Sequence, residues 1–220
     1  MNLIPTQEEV LTLVQQTGAL RIGHFEYRNG LHTDQHLEPA LAMRYHCHAK
    51  TLSVGLSRLL RANPEIRSMI ADLSIVTATV GGLPVAYGLC ESLRARQVYW
   101  AEKENRTGFL RFPQYLALEP GEKVLLVDDI LRSGKLLNET RDLVESNGAQ
   151  VVAVAALLYQ PTPKTLSLDP LPLYYLAKLE ASYYADAAAC DLCRRRIPLE
   201  QVWANEKAEE AREVLLVAGA

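Results

Sequence analysis

Two adjacent carboxylates, Asp128 and Asp129, lie between a short apolar run and a loop of small and polar residues. The apolar run, Val124 to Val127, is too short for a helix, and Pro120-Gly121 precedes it, so we predict a fully buried parallel strand. The loop, Arg132 to Lys135, is followed by a helical pattern. Because ligands of open α/β sheets bind at the carboxyl ends of strands, this pattern predicts a ligand beside the acidic pair and the backbone N–H groups of the loop.

Three other interpretations of this stretch are weaker. A phosphate-binding P-loop would need glycine where Asp129 stands and a hydroxyl residue where Leu136 stands. A response-regulator receiver usually starts with its acidic pair, whereas over half of this chain precedes Asp128, and the phosphoacceptor suggested by spacing, Asp169, lies in a proline-rich stretch. An acidic pair that only caps the next helix would have a structural role.

The whole stretch resembles the phosphoribosyl-diphosphate (PRPP) binding signature of type I phosphoribosyltransferases. That signature is an apolar strand, two acids, two variable residues and then Thr-Thr-Gly or a close variant; here Ser133 replaces a Thr and keeps the hydroxyl. The resemblance implies an α/β fold, an open parallel sheet flanked by helices with a small hood that contains an N-terminal β-hairpin. It also implies a loop for the donor's 5′-phosphate, built from Arg132, Ser133, Gly134, Lys135 and Leu136.

The same resemblance assigns chemistry to the acids. Asp128 and Asp129 would accept hydrogen bonds from the ribose hydroxyls and stabilise the cationic ribose that forms as pyrophosphate leaves. Mg²⁺ would bind pyrophosphate and ribose oxygens, so PRPP rather than a protein side chain would supply its ligands.

A second loop lies one strand–helix unit earlier. Leu73 to Val76 predicts a buried strand and Leu83 to Leu93 a helix, with Thr79-Val80-Gly81-Gly82 between them. Strand, glycine-rich loop and helix is an anion-binding layout, and two glycines allow a close backbone approach. In the family this loop binds pyrophosphate.

The next predicted strand, Val98 to Ala101, leads into a polar segment without apolar periodicity, Glu102 to Phe109. We predict a mobile loop that closes over the substrate. Lys103 resembles the family's pyrophosphate-contacting catalytic lysine, whereas Glu102 replaces a common arginine. Arg106 and Arg111 are candidates for a second loop cation.

The N-terminal part carries a hairpin signal at Asn29-Gly30. Gly23-His24-Phe25 and then Arg28 to Thr33 resemble the N-terminal segment of orotate phosphoribosyltransferases. The resemblance implies base binding by Arg28 and Phe25, and a guanidinium suits a carboxylate such as that of orotate. An exposed hairpin arginine is the structural alternative.

Composition limits the remaining classes. A formal net charge of −3 argues against bulk nucleic-acid binding, and apolar runs are too short for a membrane span. The N-terminus does not resemble a signal peptide, and four cysteines fit a reducing cytoplasm. His46-Cys47-His48 predicts the surface of a helix reaching Leu60, with one buried cysteine. Cys190-x-x-Cys193 favours incidental thiols, with zinc binding or redox chemistry left open.

Together these patterns predict three segments: 1–44, an N-terminal helix and hood hairpin; 45–160, a PRPP-binding α/β core; and 161–220, a C-terminal segment that completes sheet or hood. A capping box at Thr6 starts the first helix, Leu173 to Ala177 forms a last strand, and Glu206 to Leu216 forms a final helix. The expected function is Mg²⁺-dependent transfer of ribose 5-phosphate from PRPP to orotate by a cytoplasmic homodimer. A transferase for another base, or a non-catalytic PRPP sensor acting on nucleic acid, are the alternatives.

Overall fold

The computed structural model describes residues 4–104 and 107–202. The predicted loop cation Arg106 and the predicted helix Glu206 to Leu216 lie outside these residues. The helices are α1 (Gln7–Gln16), α2 (Ala40–Met43), α3 (His46–Ala62), α4 (Pro64–Met69), α5 (Gly82–Leu93), α6 (Lys135–Ser146) and α7 (Asp191–Arg194), with a 3₁₀ turn at Ile70–Asp72. The strands are β1 (Leu20–Glu26), β2 (His32–Leu37), β3 (Leu73–Thr77), β4 (Gln97–Trp100), β5 (Glu102–Lys103), β6 (Leu110–Arg111), β7 (Lys123–Leu131), β8 (Gln150–Tyr159), β9 (Leu173–Lys178), β10 (Tyr183–Tyr184) and β11 (Glu200–Gln201).

The chain forms two compact units. Among the described residues, the first unit comprises 4–19, 38–104 and 107–180, and the second comprises Leu20–Leu37 and 181–202. The three functional segments that the sequence analysis predicts, with boundaries after residues 44 and 160, stay a prediction.

The first unit is built on a five-stranded parallel sheet in the order β4-β3-β7-β8-β9. From β3 the chain passes through α5 outward to β4, whereas from β7 it passes through α6 in the opposite direction to β8. Right-handed crossovers in opposite directions put α5 and α6 on opposite faces. The strand order therefore reverses between β3 and β7, which is where open α/β sheets bind ligands.

Apolar burial explains why these strands form. Every residue of β3 is buried, and Val124, Leu125 and Leu126 of β7 have no exposed surface. On the face covered by α6, the core includes Leu137 and Val144 of that helix. The predicted parallel α/β core is confirmed, with strand and helix bounds within a few residues of those predicted.

Three local features differ from the predictions. β7 continues through the acidic pair to Leu131 instead of ending at Val127, because β8 pairs alongside it up to Leu131↔Tyr159. The polar segment after β4 has strands at its ends that were not predicted, since β5 pairs with β6 at Glu102↔Arg111 and the Glu104 N–H donates to Phe109 O at 2.9 Å; its closure over substrate stays a prediction. Cys47 is exposed, because it lies on the face of α3 opposite to the buried Leu56, nine residues or two and a half turns away.

The second unit holds a four-stranded sheet in the order β10-β2-β1-β11. Its hairpin, β1 and β2, turns at Asn29-Gly30 as predicted, and the Gly30 φ of 78° explains the glycine there. β11 pairs with β1 in parallel at Phe25↔Glu200, and an ion pair between Arg21 and Glu200 at 2.7 Å lies beside it.

Elsewhere in the chain, α1 begins with the predicted capping box at Thr6 and Glu9. None of the helices in the described residues combines the length and the apolar character needed to cross a bilayer.

Candidate active site

The acidic pair lies buried near the carboxyl end of β7. Asp128 and Asp129 are each 6% exposed. Pairing of β3 with β7 ends at Val76↔Leu126. Asp128, two residues further along β7, therefore lies beside the loop that follows β3 instead of beside the strand itself. A hydrogen bond from Thr79 Oγ1 to Asp128 Oδ1 at 2.6 Å joins that loop to the acids.

Burial and proximity change the ionisation of both acids. Burial raises the pKa of Asp128, although the hydrogen bond from Thr79 opposes this effect. Burial, followed by repulsion from Asp128, raises the pKa of Asp129 to about 7. Arg132 lowers both pKa values by attraction. Both shifts favour the protonated form, and a bound cation or a hydroxyl donor would oppose them by stabilising the carboxylates.

The glycine loop lies directly against these carboxylates. Gly81 has an ordinary φ of −66°, so the reason for glycine there is space rather than conformation. A Cβ atom on Gly81 would lie 2.6 Å from Asp129 Oδ2, and one on Gly82 would lie 3.1 Å from Asp128 Oδ1. The Gly82 N–H donates to Thr79 Oγ1 at 2.7 Å, whereas Val80 points out with 87% of its surface exposed.

The second loop forms the start of α6. Gly134 is the N-cap residue with a φ of 71°, and a Cβ atom there would lie 3.0 Å from the Leu166 carbonyl oxygen. The Leu166 N–H donates to Ser133 O at 2.8 Å, and the Thr165 hydroxyl donates to Arg132 O. The proline-rich segment after β8 therefore supports this loop through hydrogen bonds and close packing. The sequence did not reveal this contact.

One cavity of about 190 Å³ joins the acids to the second loop. Thr79, Asp128, Asp129, Ile130, Leu131, Arg132, Ser133, Gly134, Leu136 and Leu137 line it. The Arg132 Nε donates to Gln160 Oε1 at 3.2 Å, which orients this cation at the rim of the loop. Buried oxygens at one end and a helix N-terminus at the other fit a ligand that carries hydroxyl groups and an anion.

Comparisons with known proteins agree with this geometry. A phosphoribosyl transferase domain model matches residues 65–170. The orotate phosphoribosyltransferase of Thermus thermophilus is 30% identical over 194 residues, which are 88% of this chain and 100% of that protein. That of Acidithiobacillus ferrooxidans is 31% identical over 86% of this chain and 92% of its own length. The chain belongs to the type I phosphoribosyltransferase family.

A solved structure supports the same fold. The orotate phosphoribosyltransferase of Aeropyrum pernix superposes with a TM-score of 0.63 at 17% identity, over 77% of this chain and 93% of that one. The predictions of the family, of the fold and of an enzyme are confirmed: the protein is a phosphoribosyltransferase.

Lys103 of the phosphoribosyltransferase lines a cleft beside α6. It is exposed on β5, and Lys135 and Glu139 of α6 line the same cleft, of about 580 Å³. Lys103 is not one of the described residues that line the acidic cavity. Arg111, the other described candidate cation, is exposed on β6.

The predicted base-binding residues of the phosphoribosyltransferase belong to its second unit. Arg28 is exposed in the turn of the β1–β2 hairpin. Phe25 is buried, with its ring 5.5 Å from that of His36 and the Arg21 guanidinium 5.1 Å from its centre. A Cβ atom on Gly23 would lie 3.1 Å from the Phe25 ring, so packing accounts for the Gly-x-Phe pattern.

Proposed function

We propose that the protein is a Mg²⁺-dependent orotate phosphoribosyltransferase that transfers ribose 5-phosphate from PRPP to orotate, giving orotidine 5′-monophosphate and pyrophosphate in pyrimidine synthesis. The observation that carries the proposal is the single cavity bounded by a buried acidic pair and a helix N-terminus, in a chain whose relatives are orotate phosphoribosyltransferases. The proposal places the enzyme in the cytoplasm, in keeping with four cysteines that are all free thiols.

Asp128 and Asp129 are proposed to accept hydrogen bonds from the ribose hydroxyls. Hydrogen bonds from the ribose would stabilise the ionised form of these buried carboxylates, and their negative charge would stabilise the cationic ribose of the transition state more than the neutral ground state. The helix N-terminus at Gly134 is proposed to bind the 5′-phosphate with its backbone N–H groups and the positive end of the helix dipole.

The donor set of the cavity fits Mg²⁺. Carboxylate oxygens and ribose hydroxyls are hard ligands. Burial, followed by repulsion from Asp128, raises the pKa of Asp129, so a nearby cation would stabilise its ionised form. Mg²⁺ would neutralise charge on the departing pyrophosphate. Asp128 and Asp129 would hold its ribose-oxygen ligands in place rather than bind the ion directly.

The glycine loop is proposed to bind pyrophosphate. Thr79 Oγ1 now occupies the Gly82 N–H, so donor binding would exchange this internal hydrogen bond for one to the ligand. Because Gly81 and Gly82 have no side chains, the loop backbone lies against the acids. A pyrophosphate bound to this backbone would therefore lie next to the ribose bound to the acids.

Lys103 and Arg28 also have proposed roles. Lys103 is proposed to bind pyrophosphate, and because it does not line the acidic cavity of its own chain, we propose that it acts on the neighbouring subunit of a homodimer. Arg28 is proposed to contact the carboxylate of orotate, with Phe25 fixing the hairpin below it.

The deciding experiment follows the loss of orotate ultraviolet absorbance with PRPP and Mg²⁺. We expect turnover in the parent protein, and a fall of about 10²–10³-fold in kcat in the Asp128→Asn/Asp129→Asn variant. Arg28→Ala should weaken orotate use far more than PRPP binding, with Arg28→Lys as the matched control.

Two outcomes would redirect the proposal. Turnover with a purine or another pyrimidine, but not with orotate, would keep the donor site and replace the acceptor. PRPP binding without turnover of any base, joined to salt-sensitive nucleic-acid binding, would point to a sensor.

A further inference from the structure

Four metal-ligating side chains of the second unit converge on one point. His24 of β1, His32 at the start of β2, Cys190 before α7 and Cys193 within α7 have ligand atoms that all lie within 4.8 Å of one another. His24, His32 and Cys190 are buried, and Cys193 is half-buried. The cluster lies entirely within the second unit and shares no residue with the acidic cavity.

The distances fit a tetrahedral ion. His24 Nε2 lies 3.5 Å from Cys190 Sγ and 3.6 Å from Cys193 Sγ, and His32 Nδ1 lies 3.6 Å from Cys193 Sγ. With zinc–sulfur bonds of about 2.3 Å and zinc–nitrogen bonds of about 2.0–2.1 Å, the nitrogen–sulfur edge of a tetrahedron is about 3.5 Å. The two nitrogens, at 2.8 Å, would separate by about half an ångström to reach the corresponding nitrogen–nitrogen edge of about 3.3 Å.

The outer contacts of the histidines fix which nitrogens face the centre. His24 Nδ1 lies 2.9 Å from the Ile197 carbonyl oxygen, which can only accept, so Nδ1 carries the hydrogen and Nε2 offers a lone pair to the cluster. His32 Nε2 lies 4.0 Å from Glu26 Oε1, which is too long for a direct hydrogen bond, but the carboxylate would favour a hydrogen on that nitrogen when Nδ1 binds a cation.

Without an ion, His32 Nδ1 can donate a hydrogen bond to His24 Nε2 across the 2.8 Å between them; with an ion, both nitrogens would present lone pairs to it. A carbonyl and a carboxylate behind the imidazoles are the usual outer partners of metal-bound histidines. Gln201 Nε2 in turn donates to Glu26 Oε2 at 3.1 Å and orients that carboxylate.

We propose that His24, His32, Cys190 and Cys193 bind one structural zinc ion. Two sulfur and two nitrogen ligands in a tetrahedral arrangement favour zinc, and a full set of four protein ligands leaves no position for a substrate. The ion ties the β1–β2 hairpin to the C-terminal segment within a small unit, whose described parts are Leu20–Leu37 and residues 181–202. So small a unit has little core of its own, and small units of this kind commonly depend on metals or disulfides.

The test is the metal content of the full-length protein after purification in reducing buffer. We expect about one zinc per chain, and a cobalt-substituted protein with the visible d–d bands of a tetrahedral ion and thiolate-to-cobalt charge-transfer bands. Metal-free protein, or a Cys190–Cys193 disulfide that persists under reduction and prevents metal uptake, would overturn the proposal, and so would iron in place of zinc.

Variants separate the site from general effects on folding. Cys193→Ser should lose zinc to a competing chelator, while Cys47→Ser, which removes an exposed thiol on α3, should keep it. Glu26→Gln keeps all four ligands and is expected to weaken zinc binding about 10–100-fold; unchanged affinity would contradict the role of the outer carboxylate. Zinc content and cobalt spectra are read without substrate, so failure here and failure of the proposed orotate activity are distinguishable.

Discussion

Thr79 Oγ1 donates to Asp128 Oδ1 at 2.6 Å and accepts from the Gly82 N–H at 2.7 Å. One hydroxyl therefore links the buried acidic pair of β7 to the glycine loop that follows β3. The glycine loop follows β3 and the acidic pair lies on β7. The two meet because β3 and β7 are neighbours at the point where the strand order reverses.

Removing this hydroxyl is expected to impair catalysis in a pH-dependent way. Thr79 lowers the pKa of Asp128, so Thr79→Ala should raise that pKa further and leave the acid protonated up to higher pH. We expect kcat/KM to fall about 10–100-fold at neutral pH, with partial recovery as pH rises. Thr79→Ser is the control and should behave nearly as the parent; a uniform loss at all pH values would contradict the link to Asp128.

Gly81→Ala is expected to damage the site through space rather than backbone strain. The new Cβ atom would lie 2.6 Å from Asp129 Oδ2, so either the loop or the carboxylate must shift. We expect roughly a 100-fold fall in kcat/KM, since misplacement of about 1 Å costs that much. The neighbouring Val80→Ala, on a side chain that is 87% exposed, should be close to neutral. Equal kinetics for the two variants would show that the close approach is unimportant.

The raised pKa of Asp129 predicts a specific dependence of stability on pH. In the folded protein this acid binds its proton up to about pH 7, whereas in the unfolded chain it releases the proton near its ordinary value of 3.8. The folded state therefore holds more protons between these values, and stability falls as pH rises through this window. The loss from this group is at most about 4 kcal/mol.

Asp129→Asn removes this penalty. We expect its Tm to exceed that of the parent at pH 8 by several degrees and to match it near pH 4, at about 2–4 °C per kcal/mol for a chain of this size. Differential scanning calorimetry without ligands from pH 4 to 8 measures the effect. Parallel curves for parent and variant would argue against a raised pKa.

Lys103 provides a test of the homodimer. Lys103→Ala and Asp128→Asn proteins should each be nearly inactive. If Lys103 serves the neighbouring subunit, mixing equal amounts and allowing exchange should restore about a quarter of parental activity, because half of the dimers then contain one intact site. Absence of recovery, together with proof that subunits exchanged, would show that Lys103 acts within its own chain. A purely monomeric protein in sedimentation would contradict the dimer itself.

Local chemistry could be predicted from the sequence because it lies within short stretches. The acids and the loop at Ser133 and Gly134 are neighbours along the chain, and apolar runs identified the strands that carry them. The same locality explains the capping box at Thr6 and the turn at Asn29-Gly30, both of which depend on residues a few positions apart.

Contacts between distant parts of the chain were beyond such reasoning. β7 is longer than its apolar run because β8 continues beside it, and Leu166 supports the loop at Ser133 and Gly134 from 32 positions beyond Gly134. His24 and His32 were predicted only as hairpin residues, and the sequence favoured incidental thiols at Cys190 and Cys193 while leaving zinc binding or redox chemistry open.

The sequence by itself determined which residues can do chemistry and which strands and helices carry them. The tertiary structure decided which of those residues meet: Thr79 with Asp128, Ser133 with Leu166, and His24 with Cys190. The physical reason is that hydrophobic periodicity and turn preferences act over a few residues, whereas strand pairing and burial bring together groups whose separation along the chain carries no local signal.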